Sequence, residues 1–375
     1  MERRTFLTTM ATLPALPALA ALQARRTPDY RIVTSYKPAA QPGMPGPYAG
    51  RVVSVHSPDC IDEETDQVDV DSVQGMIARG MTTLTGDKNS RDSWARFFNT
   101  QDVVGIKVNC VGGPAVISSP EVVADIATNL MGVGVKPANI VIYERSGTQI
   151  SQMHYQRFVP AGIRVEASDT WLGFDPGVYV ETNFFGEDDT RSYMLRMITE
   201  RFTKIINVPT MKDHGASGVT GCLKNIAYGA FNNLDRSHHR SETETLTFIG
   251  TLATVEPLRS RTVLHIMDGL RGVWHAGPFS RDKRYRFYPK QMKFGTDPVA
   301  IDRFLIDVID GKRKQEGAIS VWERDMKYYS TRLADWQADP NVNRFIREPG
   351  HIEYASTLGL GVYDTSRIDH VEIAI

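Results

Sequence analysis

Apolar and polar positions along this chain follow two rhythms. Short β-branched runs alternate with longer stretches in which apolar residues recur every three or four positions. Residues 51–55 and 103–108 are runs of the first kind and read as strands. Between them, Val73, Met76, Ile77, Met81 and Leu84 keep helical spacing after an acidic stretch, 62–71, that reads as solvated loop. Ser118-Ser119-Pro120-Glu121 has the form of a capping box with an early proline. Val122, Val123, Ile126 and Leu130 then mark one face of a helix ending near Met131, and 140–143 returns as a strand. Strand, helix, strand implies a parallel pair.

The pattern recurs in the second half. Residues 204–208 form a strand ending at Pro209, 221–229 a helix and 262–267 a further strand. Asp297-Pro298 opens a helix that turns Val299, Phe304, Leu305 and Val308 inward. A peripheral helix is expected over 320–338, with Trp322, Tyr328, Tyr329 and Trp336 as packing residues, and a closing strand over 368–373. The class is α/β: a mostly parallel sheet with helices on both faces, spanning 51–375, a length that also accommodates lobes at 51–200 and 201–375. Residues 25–50, rich in Pro, Gly and Ala, read as a linker or surface arm, and 151–200 give no topology.

Paired arginines in Met1-Glu2-Arg3-Arg4-Thr5-Phe6-Leu7 precede an apolar stretch to Leu22 that Pro14 and Pro17 interrupt. That stretch is too short and broken for a stable membrane span. Residues 1–24 resemble a twin-arginine signal peptide, cleaved so that the mature chain starts near 21 or 25. The resemblance implies passage through the twin-arginine translocase and a periplasmic or otherwise exported location. A formal charge of −1 without a basic cluster argues against nucleic acid and points to a small-molecule partner. Three scattered cysteines, Cys60, Cys110 and Cys222, exclude a self-contained iron–sulfur cluster, a zinc knuckle or a disulfide framework, and permit at most one disulfide. Cys222 reads as a small core filler.

The segment from His214 to Asn225 concentrates candidate chemistry, because an imidazole and an amine flank a loop containing Gly215, Gly218 and Gly221. Thr220 reads as the N-cap of the following helix, so that free N–H groups would converge on an anion, with Lys224 on the first turn. Downstream, Asp235, His238 and His239 lie in a dense polar cluster and, with Asp213, could bind a divalent metal. Asp268 follows a strand at its carboxyl end, where ligands gather in open α/β sheets, and His275 lies in a glycine-rich loop suited to closing over a bound molecule. Lys107 and Asn109 occupy the equivalent end of an earlier strand, whereas Asp297 and Asp302 are expected to cap and pair.

Ile106-Lys107-Val108-Asn109, the block from Pro209 to Gly229 with Lys224-Asn225, Asp268-Gly269 and Asp297-Pro298-Val299-Ala300-Ile301-Asp302 together resemble the bacterial family called domain of unknown function 362. That family has no settled activity, and many members are described with an appended cysteine-rich ferredoxin module that this chain lacks on its cysteine count. More distantly, His214, Gly218, Thr220, Gly221 and Lys224 match the spacing found in lactate racemases and their relatives. In those enzymes the lysine carries a nickel-pincer nucleotide, the histidine is an acid/base for the substrate hydroxyl, and a further histidine binds nickel. The resemblance implies these roles for Lys224 and His214. It puts the metal ligand near Arg240, so His238 or His239 would serve only with a shorter loop. The turn Glu144-Arg145-Ser146-Gly147-Thr148-Gln149 lacks a second acid/base histidine.

The leading expectation is an exported oxidoreductase or isomerase acting on a small anionic hydroxy compound. His214 would be general base, Lys224 would hold a cofactor or anion, and Gly218, Thr220, Gly221, Lys107, Asn109, Asn225, Asp268 and His275 would line the binding site. The alternatives are a zinc hydrolase built on Asp213, His214 and His239, and a non-enzymatic protein binding an anion or cofactor at the Thr220 helix terminus.

Overall fold

The computed structural model describes residues 27–168, 171–238 and 242–375. The expected signal at 1–24, His239 and Arg240 lie outside the described residues. An 11-stranded sheet is built from β2 (Arg51–His56), β3 (Val104–Lys107), β4 (Ile140–Glu144), β5 (Arg164–Ala167), β8 (Lys204–Asn207), β9 (Thr210–His214), β10 (Gly218–Val219), β11 (Thr262–Val273), β12 (Arg286–Phe287), β13 (Gln291–Gly295) and β14 (Asp369–Ala374). Its main path runs β14-β2-β13-β11-β8-β3-β4-β5, and β9 joins at β11. The run β11-β8-β3-β4-β5 is parallel throughout, as is β14 on β2, while β13 is antiparallel to both neighbours. The α/β class with a mostly parallel sheet is therefore observed.

Period-two alternation divides the side chains between two cores. Val53, Val55, Ile106, Ile142 and Ile206 enter one, packed under the helices Val70–Thr85 and Pro120–Gly132. Val52, Val141, Tyr143 and Ile205 enter the other, under Gly221–Tyr228, Thr245–Ala253, Pro298–Gln315 and His351–Thr357. Both faces are thus covered, as buried parallel strands require. Residues for which the pattern gave no topology contribute β6 (Phe174–Glu181) and β7 (Arg191–Leu195), which form a separate antiparallel sheet with β1 (Arg31–Val33) from the expected arm.

Two local expectations are corrected. Only Leu333–Ala338 of the stretch 320–338 is α-helical, with a single 3-10 turn at Met326–Tyr328 before it. Polar side chains divert the backbone there: Asp310 accepts the Ser320 hydroxyl at 2.9 Å and the Val321 N–H at 2.7 Å. The strand read as ending at Met267 continues to Val273, with an irregular register against β9 between Asp268 and Gly272. Among the described residues no helix is long and apolar enough to cross a membrane.

Candidate functional site

The chain runs from β3 to β4 and β5 on one side of the sheet and from β8 to β11 on the other, so its direction reverses between β3 and β8. Open α/β sheets form their ligand crevice outside the strand carboxyl ends at such a point. Here a cavity of about 440 Å³ is lined by Lys107 and Asn109 at the carboxyl end of β3 and by Glu144 and Arg145 at the carboxyl end of β4. His214, Thr220, Lys224, Asn225 and His238 line it too. Seven candidates scattered between 107 and 238 are thereby brought to one place.

His214 ends β9, and the hairpin to β10 folds back so that its Nδ1 accepts the N–H groups of Ala216 at 3.1 Å and Ser217 at 3.2 Å. A nitrogen that accepts two N–H groups cannot carry the ring proton, so neutral His214 bears it on Nε2. Burial, followed by the charge of Lys224, pushes the imidazole well below its ordinary pKa and keeps it neutral. The ring therefore offers the cavity a donor, Nε2–H, and not the proton-accepting nitrogen that a general base needs.

Lys224 projects from the first turn of its helix and is 7% exposed. Its Nζ lies 3.8 Å from the centroid of the Tyr228 ring, and no carboxylate forms an ion pair with it among the described residues. Burial lowers its pKa to about 7, against a weaker upward pull from Asp235. A lysine in this state is substantially uncharged near neutral pH and is nucleophilic or basic.

Beside it runs a buried polar network. Lys107 Nζ pairs with Glu144 at 2.9 Å, Asn109 donates to the Asn225 Oδ1 at 3.0 Å, and Lys212 Nζ donates to the Asn109 Oδ1 at 2.8 Å and to the Val111 carbonyl. Asn225 donates onward to Asn207 at 2.7 Å. These bonds fix both side-chain amides, so Asn109 and Asn225 are held rigid at the cavity wall. Lys212, fully buried behind the wall, is also lowered by burial to about 7.

Other candidates are placed elsewhere. The helix N-terminus expected to hold an external anion is occupied by Asp302, whose carboxylate accepts Cys222 N–H at 2.5 Å and Leu223 N–H at 2.8 Å. Thr220 makes no side-chain cap, and its buried hydroxyl has no hydrogen-bond partner among the described residues. Gly221, at φ +51°, leaves room for the Asp302 carboxylate, which a Cβ would strike, and Gly218, at φ +78°, closes the hairpin against Pro349. Both glycines serve backbone geometry and do not line the cavity. Asp268 is interior and accepts the N–H groups of Ser119 and Leu270 at 2.6 and 3.0 Å. His275 is fully buried, its Nε2 2.6 Å from the Trp336 carbonyl and its Nδ1 3.2 Å from Arg313, so it is packing and not a mobile loop residue.

Asp213 alternates away from His214 along β9 and faces Arg347 at 3.7 Å and Arg313 at 4.0 Å, while accepting Gly277 N–H at 2.7 Å. It cannot join His238 as a ligand. The His238 ring lies 5.4 Å from that of His214, and among the described residues no three His, Cys, Asp or Glu side chains group as a metal site. All three cysteines are buried and free, and burial raises the Cys222 thiol far above its ordinary value, in keeping with a core filler. Sequence reading passed over Glu144 and Arg145 as ligand groups, although the strand-end rule that selected Lys107 applies to them equally. Arg281, Arg344 and Phe345, also at the cavity, come from irregular segments without a periodic signal.

Residues 104–307, more than half of the chain, match the family described as Domain of unknown function (DUF362). No curated protein matches. Among solved structures, a Thermotoga maritima protein aligns at 11% identity and a TM-score of 0.29, over 55% of this chain and 51% of its own. The match thus spans about half of that protein's length.

Proposed function

Starting from the fact that this chain belongs to the DUF362 family, we propose that it is an enzyme of oxidoreductase or isomerase type acting on a small anionic hydroxy compound, with Lys224 as its reactive amine. One observation carries the reading: a buried lysine without a carboxylate partner among the described residues shares a cavity with a histidine whose only exchangeable ring proton is on Nε2. His214 would donate that hydrogen bond to the substrate oxygen, stabilising negative charge as it develops there. Lys224, near-neutral at pH 7, would move the proton or form the covalent bond. Asn109 and Asn225, held by Lys212 and Asn207, would orient the substrate without rearranging.

The residues fit a covalently attached group at Lys224, whose amine is uncharged enough to react and faces open space. A nickel-pincer nucleotide held there would supply a hydride-accepting centre. The zinc-hydrolase alternative finds no support in the position of Asp213, and the helix-terminus alternative finds none because Asp302 occupies that terminus. An exported location remains part of the proposal. The test is turnover of 2-hydroxy acids by the full chain purified from an exporting host, with the mass of its Lys224 peptide. Lys224→Ala should abolish turnover with an unchanged circular dichroism spectrum; retained turnover would overturn the assignment.

A further inference from the structure

The cavity holds more positive charge than the chemistry at Lys224 and His214 uses. Lys107 is satisfied by Glu144, and Asp235 acts on Lys224. Arg145, Arg281 and Arg344 also line the cavity, and none has a carboxylate partner among the described residues. Two of them share a construction. The Arg281 guanidinium lies 4.9 Å from the Phe279 ring centroid, and that of Arg344 lies 5.4 Å from the Phe345 centroid. A ring face orients the guanidinium and leaves its N–H edge free for an oxyanion. Phe279 at 43% and Leu333 at 41% expose apolar surface at the cavity wall, an arrangement suited to a ligand body with little polarity. The volume of about 440 Å³ is several times that of a three-carbon hydroxy acid.

We propose that Arg281 and Arg344 form a second anion subsite, and that the substrate is a phosphate monoester whose apolar or aromatic body lies between this subsite and the Lys224–His214 pair. The inference rests on the reading of that pair as the reactive centre and narrows its substrate class. A phosphate monoester presents three terminal oxygens and close to two negative charges at neutral pH, so it rewards two unpaired guanidinium edges more than a singly charged carboxylate does. Arg145, after β4, adds charge from the other wall.

The test is calorimetric titration of the full chain at low salt with phenyl phosphate, inorganic phosphate and benzoate as probes. Phenyl phosphate should bind most tightly. Arg281→Gln and Arg344→Gln should each weaken it about tenfold and flatten its salt dependence, with benzoate changed less. Circular dichroism should be unchanged, since neither side chain is buried. Absence of phenyl phosphate binding, equal binding of benzoate, or wild-type affinity in both arginine variants would overturn the subsite. If the subsite fails in this way while Lys224→Ala still abolishes turnover, the reactive centre stands. Turnover surviving in Lys224→Ala overturns that centre whatever the arginines do.

Discussion

Replacing Lys224 with methionine should make the protein more stable, and by an amount that depends on pH. The two side chains are similar in length, so packing changes little and contributes a term independent of pH. The charge does not. In the unfolded chain the ammonium titrates at its ordinary 10.5, and in the folded protein burial brings it to about 7. Between those values the unfolded state binds more protons than the folded state, so the wild-type stability owed to this residue rises with pH. Below pH 7 the penalty for the buried ammonium is complete, at about 5 kcal/mol, and by pH 9 it has fallen to about 2 kcal/mol. The stability advantage of Lys224→Met should therefore shrink by about 3 kcal/mol between pH 6 and pH 9. Lys212 titrates over the same range but is present in both proteins and cancels. Urea unfolding of wild type and variant at pH 6, 7, 8 and 9 measures the difference directly. A stability gap that stays constant with pH would refute the claim that this amine is desolvated.

Three further outcomes follow from the same contacts. Asp302→Ala removes the acceptor of Cys222 and Leu223 N–H and should cost about 2 kcal/mol in urea unfolding; a loss within error of zero would mean that the helix terminus is satisfied otherwise. Asp213→Ala leaves Arg313 and Arg347 without their buried counter-charge and should cost about 3 to 5 kcal/mol, or prevent folding, whereas a neutral effect would contradict the ion pairing. Nitrogen NMR of the His214 ring should report a neutral imidazole protonated on Nε2 from pH 5 to 8; a proton on Nδ1, or titration within that range, would remove its assignment as donor.

Much of the sheet was readable from the sequence because its parallel strands are short β-branched runs, and the helices between them carry unbroken apolar faces. The cavity wall was readable in part for the same reason: Lys107 ends a strand and Lys224 lies in the first turn of a helix that the pattern locates, whereas β9, which ends at His214, was not read as a strand. What the pattern could not supply is competition for the same backbone groups. Cys222 and Asp302 are 80 residues apart, and only the tertiary fold shows the carboxylate taking the helix terminus that Thr220 opens. Alternation along β9 likewise separates Asp213 from His214 once the strand is known to continue through both. His275 looked like a loop residue because glycines surround it, yet Trp336, from a distant short helix, packs over it. Arg281 and Arg344 lie in irregular segments without a periodic signal, and backbone bridges to distant residues at Asn343 and Ile346 flank Arg344.

The reactivity of Lys224 itself tests the account most directly. Acetylation of the full chain with limiting anhydride across pH 5 to 11, read as the fractional modification of the Lys224 peptide by mass spectrometry, yields the titration of that amine. A midpoint near pH 7, well below that of the surface lysines in the same digest, is the predicted result. A midpoint near 10, shared with those surface lysines, would contradict a reactive amine in the cavity and with it the proposed chemistry.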